Sequence, residues 1–166
     1  GTGLLREIGC IGGDGASPDP NCAAGRALTS PQTVALAPGD GFLYATTLNG
    51  IVTLTRDAAT GVLAQPLGTD SCIVWNERYD GDCRPGSGLD SAFGVAVTAD
   101  GRGVYSASFG SNAVTMYDRN RKTGVLSQTF RCLSNDGKAP CAGARGLEHA
   151  GWTTISGDGR FVYVNA

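Results

Sequence analysis

The sequence lacks long apolar runs, clustered basic residues and helical periodicity, and each absence excludes a class of protein. No apolar run approaches the ~20 residues that cross a bilayer as a helix. Its 13 basic residues are scattered and the net charge is −2, which argues against a nucleic-acid-binding face. Apolar residues do not recur at helical spacing for three turns anywhere, so a helical fold is not expected.

Glycine is abundant instead. There are 26 glycines and seven prolines among 166 residues, which indicates many turns between short strands. Hydrophobic residues make up 41%, too many for a disordered chain. The sequence therefore predicts an all-β protein. It opens GTGLLREIGC, without a basic segment followed by an apolar stretch, so we expect any signal peptide to have been removed or to precede these residues.

An internal repeat of about 60 residues organises the chain. Each unit begins at a Thr-Gly pair followed by apolar residues, which divides the sequence into units 2–59, 60–122 and 123–166. Within each unit a cysteine pair, a leucine-ending tripeptide, an apolar strand, an Asp-Gly turn and a Tyr-bearing strand follow in the same order. Such modules are typical of proteins built from stacked sheets.

The Asp-Gly turns are the sharpest part of the repeat. Asp-Gly between two β-rich runs predicts a hairpin, because glycine accepts the positive φ of a tight turn. A tyrosine follows each turn by four or five residues, and we expect it to pack between sheets. The three turns and their tyrosines are Asp40-Gly41 with Tyr44, Asp100-Gly101 with Tyr105, and Asp158-Gly159 with Tyr163.

Two further strands complete each full unit. A third strand is predicted at 51–56 and 113–118, and a fourth at 62–67 and 125–130. Four short antiparallel strands per repeat describe a β-propeller blade, so the chain would hold about 2.75 four-stranded blades. The cysteine-bounded segment, which is expected where one blade crosses to the next, accounts for a period longer than the usual ~40–50 residues.

The segment YSASFGSNAVTMYDRNRKTGVL resembles the repeats of the bacterial lactonase-like, YVTN-type propeller family, and FVYVNA repeats its opening. The resemblance covers nearly the whole chain. It implies a propeller fold and, as one activity, hydrolysis of sugar lactones. Gluconolactonase-type relatives hold a metal with acidic and Asn side chains near the propeller axis, but no such set is matched here, since Asn49 and Asn112 fall at turns.

Propellers close with about 4–8 blades, which leaves open sheet edges on this chain. Two partners could cover them: further blades of a longer chain, or identical subunits.

Six cysteines in three repeat-locked pairs predict three local disulfides: Cys10–Cys22, Cys72–Cys83 and Cys132–Cys141. Thiolate metal binding is the alternative, but zinc sites favour closer cysteine spacing with histidine or further cysteine nearby. Disulfides belong to an oxidising compartment, so the protein is expected to be secreted, extracellular or periplasmic.

The cysteine-bounded loops are polar and contain five aspartates that could bind a hard cation: Asp14, Asp19, Asp80, Asp82 and Asp136. Calcium needs six to eight oxygens, and no loop has a known calcium-binding spacing. No cofactor or metal is therefore expected, with calcium as the open alternative.

Chemistry-bearing residues are few. There is no Gly-x-Ser-x-Gly nucleophile motif. The single histidine, His149, takes the repeat position held by Ser30 and Ser91, and Arg145, Glu148 and His149 form the best acid/base candidate. A solvated loop at a blade entrance is the alternative.

Trp75 and Tyr79 lie in the second cysteine-bounded loop and have no aromatic counterparts in the other two loops. An exposed aromatic pair on such a loop suits ligand recognition. Packing of that loop on its own blade is the alternative.

Three functional hypotheses follow. The first is a secreted, non-enzymatic propeller that binds protein or carbohydrate through its disulfide-braced loops. The second is a lactonase-like hydrolase, with its site outside this segment or around Glu148 and His149. The third is a self-assembling surface protein.

Overall fold

The computed structural model describes residues 5–13, 20–39, 41–75, 81–129, 132–138 and 140–166. Within these ranges the regular structure is β-strand, apart from one turn of 3-10 helix at Thr69–Ser71. The prediction of an all-β propeller is confirmed. No helix among the described residues has the length and apolarity needed to cross a membrane.

The first two strands form a small parallel pair of their own, β1 (Ile11–Gly12) with β2 (Ala23–Ala24). They lead into blade 1, whose sheet runs from an inner to an outer edge. Its strands are β3 (Pro31–Leu36), β4 (Phe42–Thr47), β5 (Gly50–Arg56), β6 (Leu63–Ala64), β7 (Cys72–Trp75) and β8 (Arg84–Gly86).

Blade 2 repeats this order, and two strands of a third blade follow. Blade 2 consists of β9 (Ala92–Val97), β10 (Gly103–Ser108), β11 (Ala113–Arg119), β12 (Leu126–Ser127), β13 (Cys132–Ser134) and β14 (Ala142–Gly143). The antiparallel hairpin β15 (Trp152–Ile155) and β16 (Val162–Asn165) belongs to blade 3.

The outer edge of each blade differs from the prediction of four antiparallel strands. The fourth strand is split, since β6 and β7 both pair with β5 at opposite ends of it. A fifth strand, β8, then pairs with β7 in parallel. The first cysteine of the loop therefore lies inside the fourth strand, and the loop returns along the outer edge before crossing to the next blade.

All three predicted disulfides are present and tie these outer strands together. The S–S bonds join Cys10 to Cys22, Cys72 to Cys83 and Cys132 to Cys141, over 12, 11 and 9 residues. Each closes a short loop, which stabilises the fold by about 2–3 kcal/mol through restriction of the unfolded chain.

The inner strands β3, β9 and β15 lie side by side, as the strands around a propeller axis do. The approach is close at Gly94, where an added Cβ would lie 2.7 Å from the backbone nitrogen of Thr153. Between blades 1 and 2 the side chains form one buried cluster that includes Tyr44, Leu89 and Tyr117.

The repeat-locked tyrosines differ in burial according to the neighbouring blade. Tyr44 is fully buried, and its hydroxyl donates to the Gly124 carbonyl oxygen at 2.8 Å and accepts from Arg119 Nε at 2.5 Å. Burial raises the pKa of Tyr44 above its ordinary value, and the hydrogen bond from Arg119 opposes that rise. Tyr105 is half-buried and Tyr163 is 57% exposed.

The two ends of the blades carry different connections. At one end lie the segments that enter each inner strand (28–30, 89–91 and 147–151) and the turns 48–49 and 109–112; we call this the entry face. At the other end lie the β3–β4, β9–β10 and β15–β16 hairpins and the turns 57–61 and 120–124; we call this the hairpin face. Asp40 of the first predicted Asp-Gly turn lies outside the described residues.

Candidate functional site

His149 shares an unusual backbone conformation with its two repeat equivalents. Ser30, Ser91 and His149 have φ values of 46°, 52° and 58°, in the left-handed region that side chains other than glycine rarely adopt. The predicted equivalence of the three positions is therefore confirmed by their geometry. Because serine satisfies the same backbone in two copies, the turn itself does not require histidine in the third.

Contacts from blade 2 hold His149 on the entry face. Its backbone N–H donates to Asn112 Oδ1 at 2.7 Å, across the boundary between blades. Its imidazole stacks on Phe109, with 4.4 Å between ring centroids and 15° between planes. Phe109 in turn contacts Phe93 of the inner strand β9 at 5.8 Å. The ring is therefore fixed at its face while its nitrogens stay at the exposed surface.

The other two candidates do not converge on it. Glu148 and Arg145 are exposed, and within the described ranges no hydrogen bond or ion pair joins either of them to His149. The structure therefore brings none of the three side chains together as an acid/base pair.

Arg145 takes the repeat position of Arg26 and Ser87, and both of these are clasped by a glutamine. Gln65 bonds the backbone N–H and carbonyl of Arg26 at 2.6 and 3.1 Å, and Gln128 bonds those of Ser87 at 2.9 and 2.7 Å. The clasp joins an entering segment to the outer strand of the blade that it enters. This equivalence favours a structural role for Arg145.

A polar cleft opens on the same face between the outer parts of blades 1 and 2. Its volume is about 360 Å³, within the range of small-molecule sites. Trp75 forms part of its wall, whereas Tyr79, its predicted partner, lies outside the described residues. The polar side chains that line it are Ser87, Asp90, Ser111, Asn112, Ser134, Asp136 and Lys138.

Two carboxylates give the cleft its acidic character. Asp136 Oδ1 accepts from the Lys138 N–H at 3.1 Å and from the Ser134 hydroxyl at 2.9 Å. These bonds, that from the Lys138 backbone first, lower the pKa of Asp136 below its ordinary value. Asp90 lies so close to the 109–112 turn that a Cβ on Gly110 would come within 2.4 Å of its Oδ2.

Sequence reasoning missed Asp90, Lys138 and the cleft role of Asn112. The 109–112 turn is two residues longer than its counterpart at 48–49, and this difference between repeats was the available signal. The cleft itself could not be found from the sequence, because its walls come from two cysteine loops about 60 residues apart.

No group of three or more His, Cys, Asp or Glu side chains that could hold a metal occurs in the described part of the chain. Asp14, Asp19 and Asp80 lie outside that part. Calcium binding therefore stays a prediction.

Comparison with known proteins fits this geometry. Residues 21–166 match the family described as lactonase, 7-bladed beta-propeller. The chain belongs to this lactonase family. The predicted resemblance is thereby confirmed over most of the sequence. No curated protein sequence matches the chain significantly.

Solved structures similar to this lactonase-family chain share its fold. The periplasmic gluconolactonase of Pseudomonas aeruginosa aligns with 88% of this chain and 35% of its own, at 21% identity and a TM-score of 0.56. A functionally unknown protein from Desulfotomaculum acetoxidans aligns with 81% and 34%, at 19% identity and 0.56. Hydrazine synthase of Kuenenia stuttgartiensis aligns with 83% and 29%, at 17% identity and 0.50.

Identities this low show the fold alone, and the three proteins have different descriptions. The lactonase-family chain covers 26%, 25% and 34% of three of the solved structures that it matches.

Proposed function

We propose that this chain is part of a sugar-lactone hydrolase that works in an oxidising compartment. His149 on the entry face is its general base. The family match supports the reaction class, and the gluconolactonase among the similar folds agrees with it. Three disulfides support an extracellular or periplasmic location. The hypothesis of a non-enzymatic binding module has no support from the family match.

The observation that carries the proposal is the placement of His149. A general base must present a nitrogen to water while its ring stays in one orientation. Stacking on Phe109 fixes the ring plane, and the bond from its N–H to Asn112 fixes the backbone. The two serines at equivalent positions have the same backbone conformation and no such group.

The reaction requires two proton transfers, one from water to the imidazole and one back to the ring oxygen of the lactone. The imidazole removes a proton from water as the water oxygen bonds to the lactone carbonyl carbon. The ring C–O bond then breaks, and the ring oxygen takes up the proton to give the open hydroxy acid. Glu148, the neighbouring carboxylate, is the candidate for orienting the lactone hydroxyls.

Lactone hydrolysis by the intact natural protein tests the proposal, with His149→Ser as the decisive variant. This change gives the third repeat the residue that the first two already carry, so the fold is expected to tolerate it. Loss of a general base lowers kcat by about 10²–10⁴-fold.

Ser91→Ala is the matched control, since it alters the same repeat position in blade 2 and should leave kcat within about twofold. Unchanged kcat in His149→Ser, with gluconolactone as substrate, would contradict the proposal.

Self-assembly through the open edges stays a prediction. A concentration-dependent mass in solution would support it.

A further inference from the structure

The cleft between blades 1 and 2 has no part in the hydrolytic step described above. Its walls come from two complete blades, and every residue that lines it is described. His149 meets it only through Asn112, whose Oδ1 accepts the His149 N–H and whose Nδ2 makes no hydrogen bond within the described part of the chain. We propose that this cleft is a second binding site, which takes an uncharged or amino-bearing sugar ring and rejects phosphorylated or acidic sugars.

The polar groups of the cleft match those of a polyol. Ionised Asp90 and Asp136 only accept hydrogen bonds, whereas the Lys138 ammonium and the Asn112 amide can donate them. The hydroxyls of Ser87 and Ser111 can do both, whereas that of Ser134 already donates to Asp136 and can only accept. A sugar hydroxyl also donates and accepts hydrogen bonds at one oxygen atom. Each hydroxyl of a bound sugar can therefore find a partner among the donors and acceptors that line the cleft. An apolar ligand would leave these groups without partners.

Trp75 supplies the apolar part of the site. Its indole is half-buried and packs against the core cluster between the blades. Its backbone N–H donates to the Asn49 carbonyl oxygen at 2.8 Å, which anchors the end of β7. A large aromatic side chain with few rotatable bonds offers contact area at a low entropic cost. The C–H face of a pyranose can therefore lie against it while its hydroxyls meet the polar wall.

Two disulfides and close packing brace the walls of the cleft. The Cys72–Cys83 disulfide lies three residues from Trp75, and Cys141 of the next disulfide itself lines the cleft. Gly88 is packed so tightly that an added Cβ would lie 2.9 Å from Thr115 Oγ1 and 3.4 Å from Cys141 Sγ. Such preorganisation lowers the entropic cost of binding.

Charge sets the selectivity. The lining holds two carboxylates against one ammonium, so it carries a net charge of −1 when all three are ionised. The carboxylate of Asp136 is ionised in the neutral pH range, and the hydrogen bonds that it accepts lower its pKa further. A phosphate or carboxylate on the ligand would be repelled at short range, while an amino group would be attracted.

Tryptophan fluorescence can report on this site, because Trp75 lies in its wall and the other tryptophan of this sequence is Trp152. Trp152 lies exposed on β15 of blade 3. In Trp152→Phe, emission comes from Trp75. Titration with D-glucose and D-glucosamine should give a saturable change with a Kd of about 1 mM, the order expected for so small a ligand. D-glucose 6-phosphate and D-gluconate should bind at least ~10-fold more weakly.

The reciprocal variant Trp75→Phe leaves only Trp152, and its emission should not respond to sugars. Circular dichroism shows whether each variant keeps the wild-type fold. The proposal is overturned if Trp75 emission shows no saturable change with either glucose or glucosamine, if Trp152 responds equally, or if the phosphorylated sugar binds more tightly.

Charge reversal tests the basis of selectivity. Asp136→Lys should strengthen binding of glucose 6-phosphate at least ~10-fold and weaken binding of glucosamine by a similar factor. Asp158→Lys is the matched control, because Asp158 occupies a similar turn on the hairpin face and accepts from Ser156 as Asp136 accepts from Ser134. Equal effects of the two reversals would contradict a local site.

The cleft is independent of the proposed hydrolytic step. His149→Ser should abolish hydrolysis and leave glucose binding at Trp75 unchanged. Loss of both together would show that a single site carries them, and would overturn the second site.

Discussion

The hairpin face and the entry face belong to the same blades, yet they differ in how closely the copies agree. On the hairpin face, Asp100 Oδ1 accepts from the Thr98 hydroxyl and Asp158 Oδ1 from the Ser156 hydroxyl, both at 2.6 Å. On the entry face, the corresponding turns have two and four residues, and His149 stands where the other copies have serine.

The difference separates what the fold requires from what it leaves open. A propeller needs a tight hairpin at this point in every blade, because each one must place the same strands against the next blade. The turns of the entry face are less constrained by strand placement, so their residues can differ between blades and can include functional side chains. Variants on the hairpin face should therefore change stability, and variants on the entry face should change activity.

The largest effect on stability is expected at Gly124. Its φ is +73°, and an added Cβ would lie 2.2 Å from Phe42, so Gly124→Ala combines backbone strain with displacement of a ring between blades. We expect a loss of about 3 kcal/mol.

Gly61→Ala is the matched control, since its φ is +79° but its Cβ would meet only the end of Ile8 at 3.0 Å. It should cost about 1–2 kcal/mol in urea unfolding. Equal losses would show that packing between the blades contributes nothing at Gly124.

Tyr44→Phe should cost about 1–3 kcal/mol, because the change leaves the buried Arg119 Nε and the Gly124 carbonyl without a partner. Tyr163→Phe, at the exposed equivalent position, should stay within about 0.5 kcal/mol. Urea unfolding of the two variants measures the contrast. A similar loss in both would contradict the pairing of each tyrosine with the next blade.

On the entry face, Asn112→Gly should lower kcat for lactone hydrolysis by about tenfold and leave the unfolding midpoint nearly unchanged. Glycine suits the φ of 47° at this position but removes the Oδ1 that accepts the His149 N–H. Asn112→Asp retains an acceptor there and should restore most of kcat. A fall in stability without loss of kcat would place Asn112 in the framework instead.

The smallest effect on stability is expected from protonation of the turn aspartates, Asp100 and Asp158, at acidic pH. Hydrogen bonds, from Thr98 first for Asp100 and from Ser156 first for Asp158, lower both pKa values in the folded protein. The stability that they contribute is present above the ordinary pKa of about 3.9 and is lost as the pH falls through the folded values.

An Asp100→Asn, Asp158→Asn double variant keeps the acceptor oxygens and cannot titrate. Its unfolding midpoint should fall less than that of the wild type between about pH 6 and pH 2.5. Parallel curves would contradict this origin of the acid sensitivity.

Sequence reasoning recovered what local patterns specify. The disulfides and the hairpins at Asp100-Gly101 and Asp158-Gly159 follow from residues close together in the chain. In the first hairpin the positive φ falls on Gly39 instead of Gly41, and Asp40 lies outside the described residues. The split fourth strand was missed because a pairing as short as Leu63–Ala64 has no periodicity to detect. The parallel fifth strand was missed for the same reason.

Contacts between blades were beyond the sequence. Tyr44 and Arg119 are separated by 75 residues in the sequence. No local pattern indicates which arginine will donate a hydrogen bond to which tyrosine. Trp75 was singled out from the sequence, but its polar neighbours at 136 and 138 come from the next cysteine loop.

The most direct test of the division between the two faces measures activity and stability on the same two variants of the intact protein, His149→Ser and Tyr44→Phe. The account predicts that His149→Ser loses gluconolactone hydrolysis with an unchanged urea midpoint, and that Tyr44→Phe keeps kcat while its midpoint falls. The account would be contradicted if the histidine variant lost stability and kept its activity, or if the tyrosine variant lost activity while it remained folded.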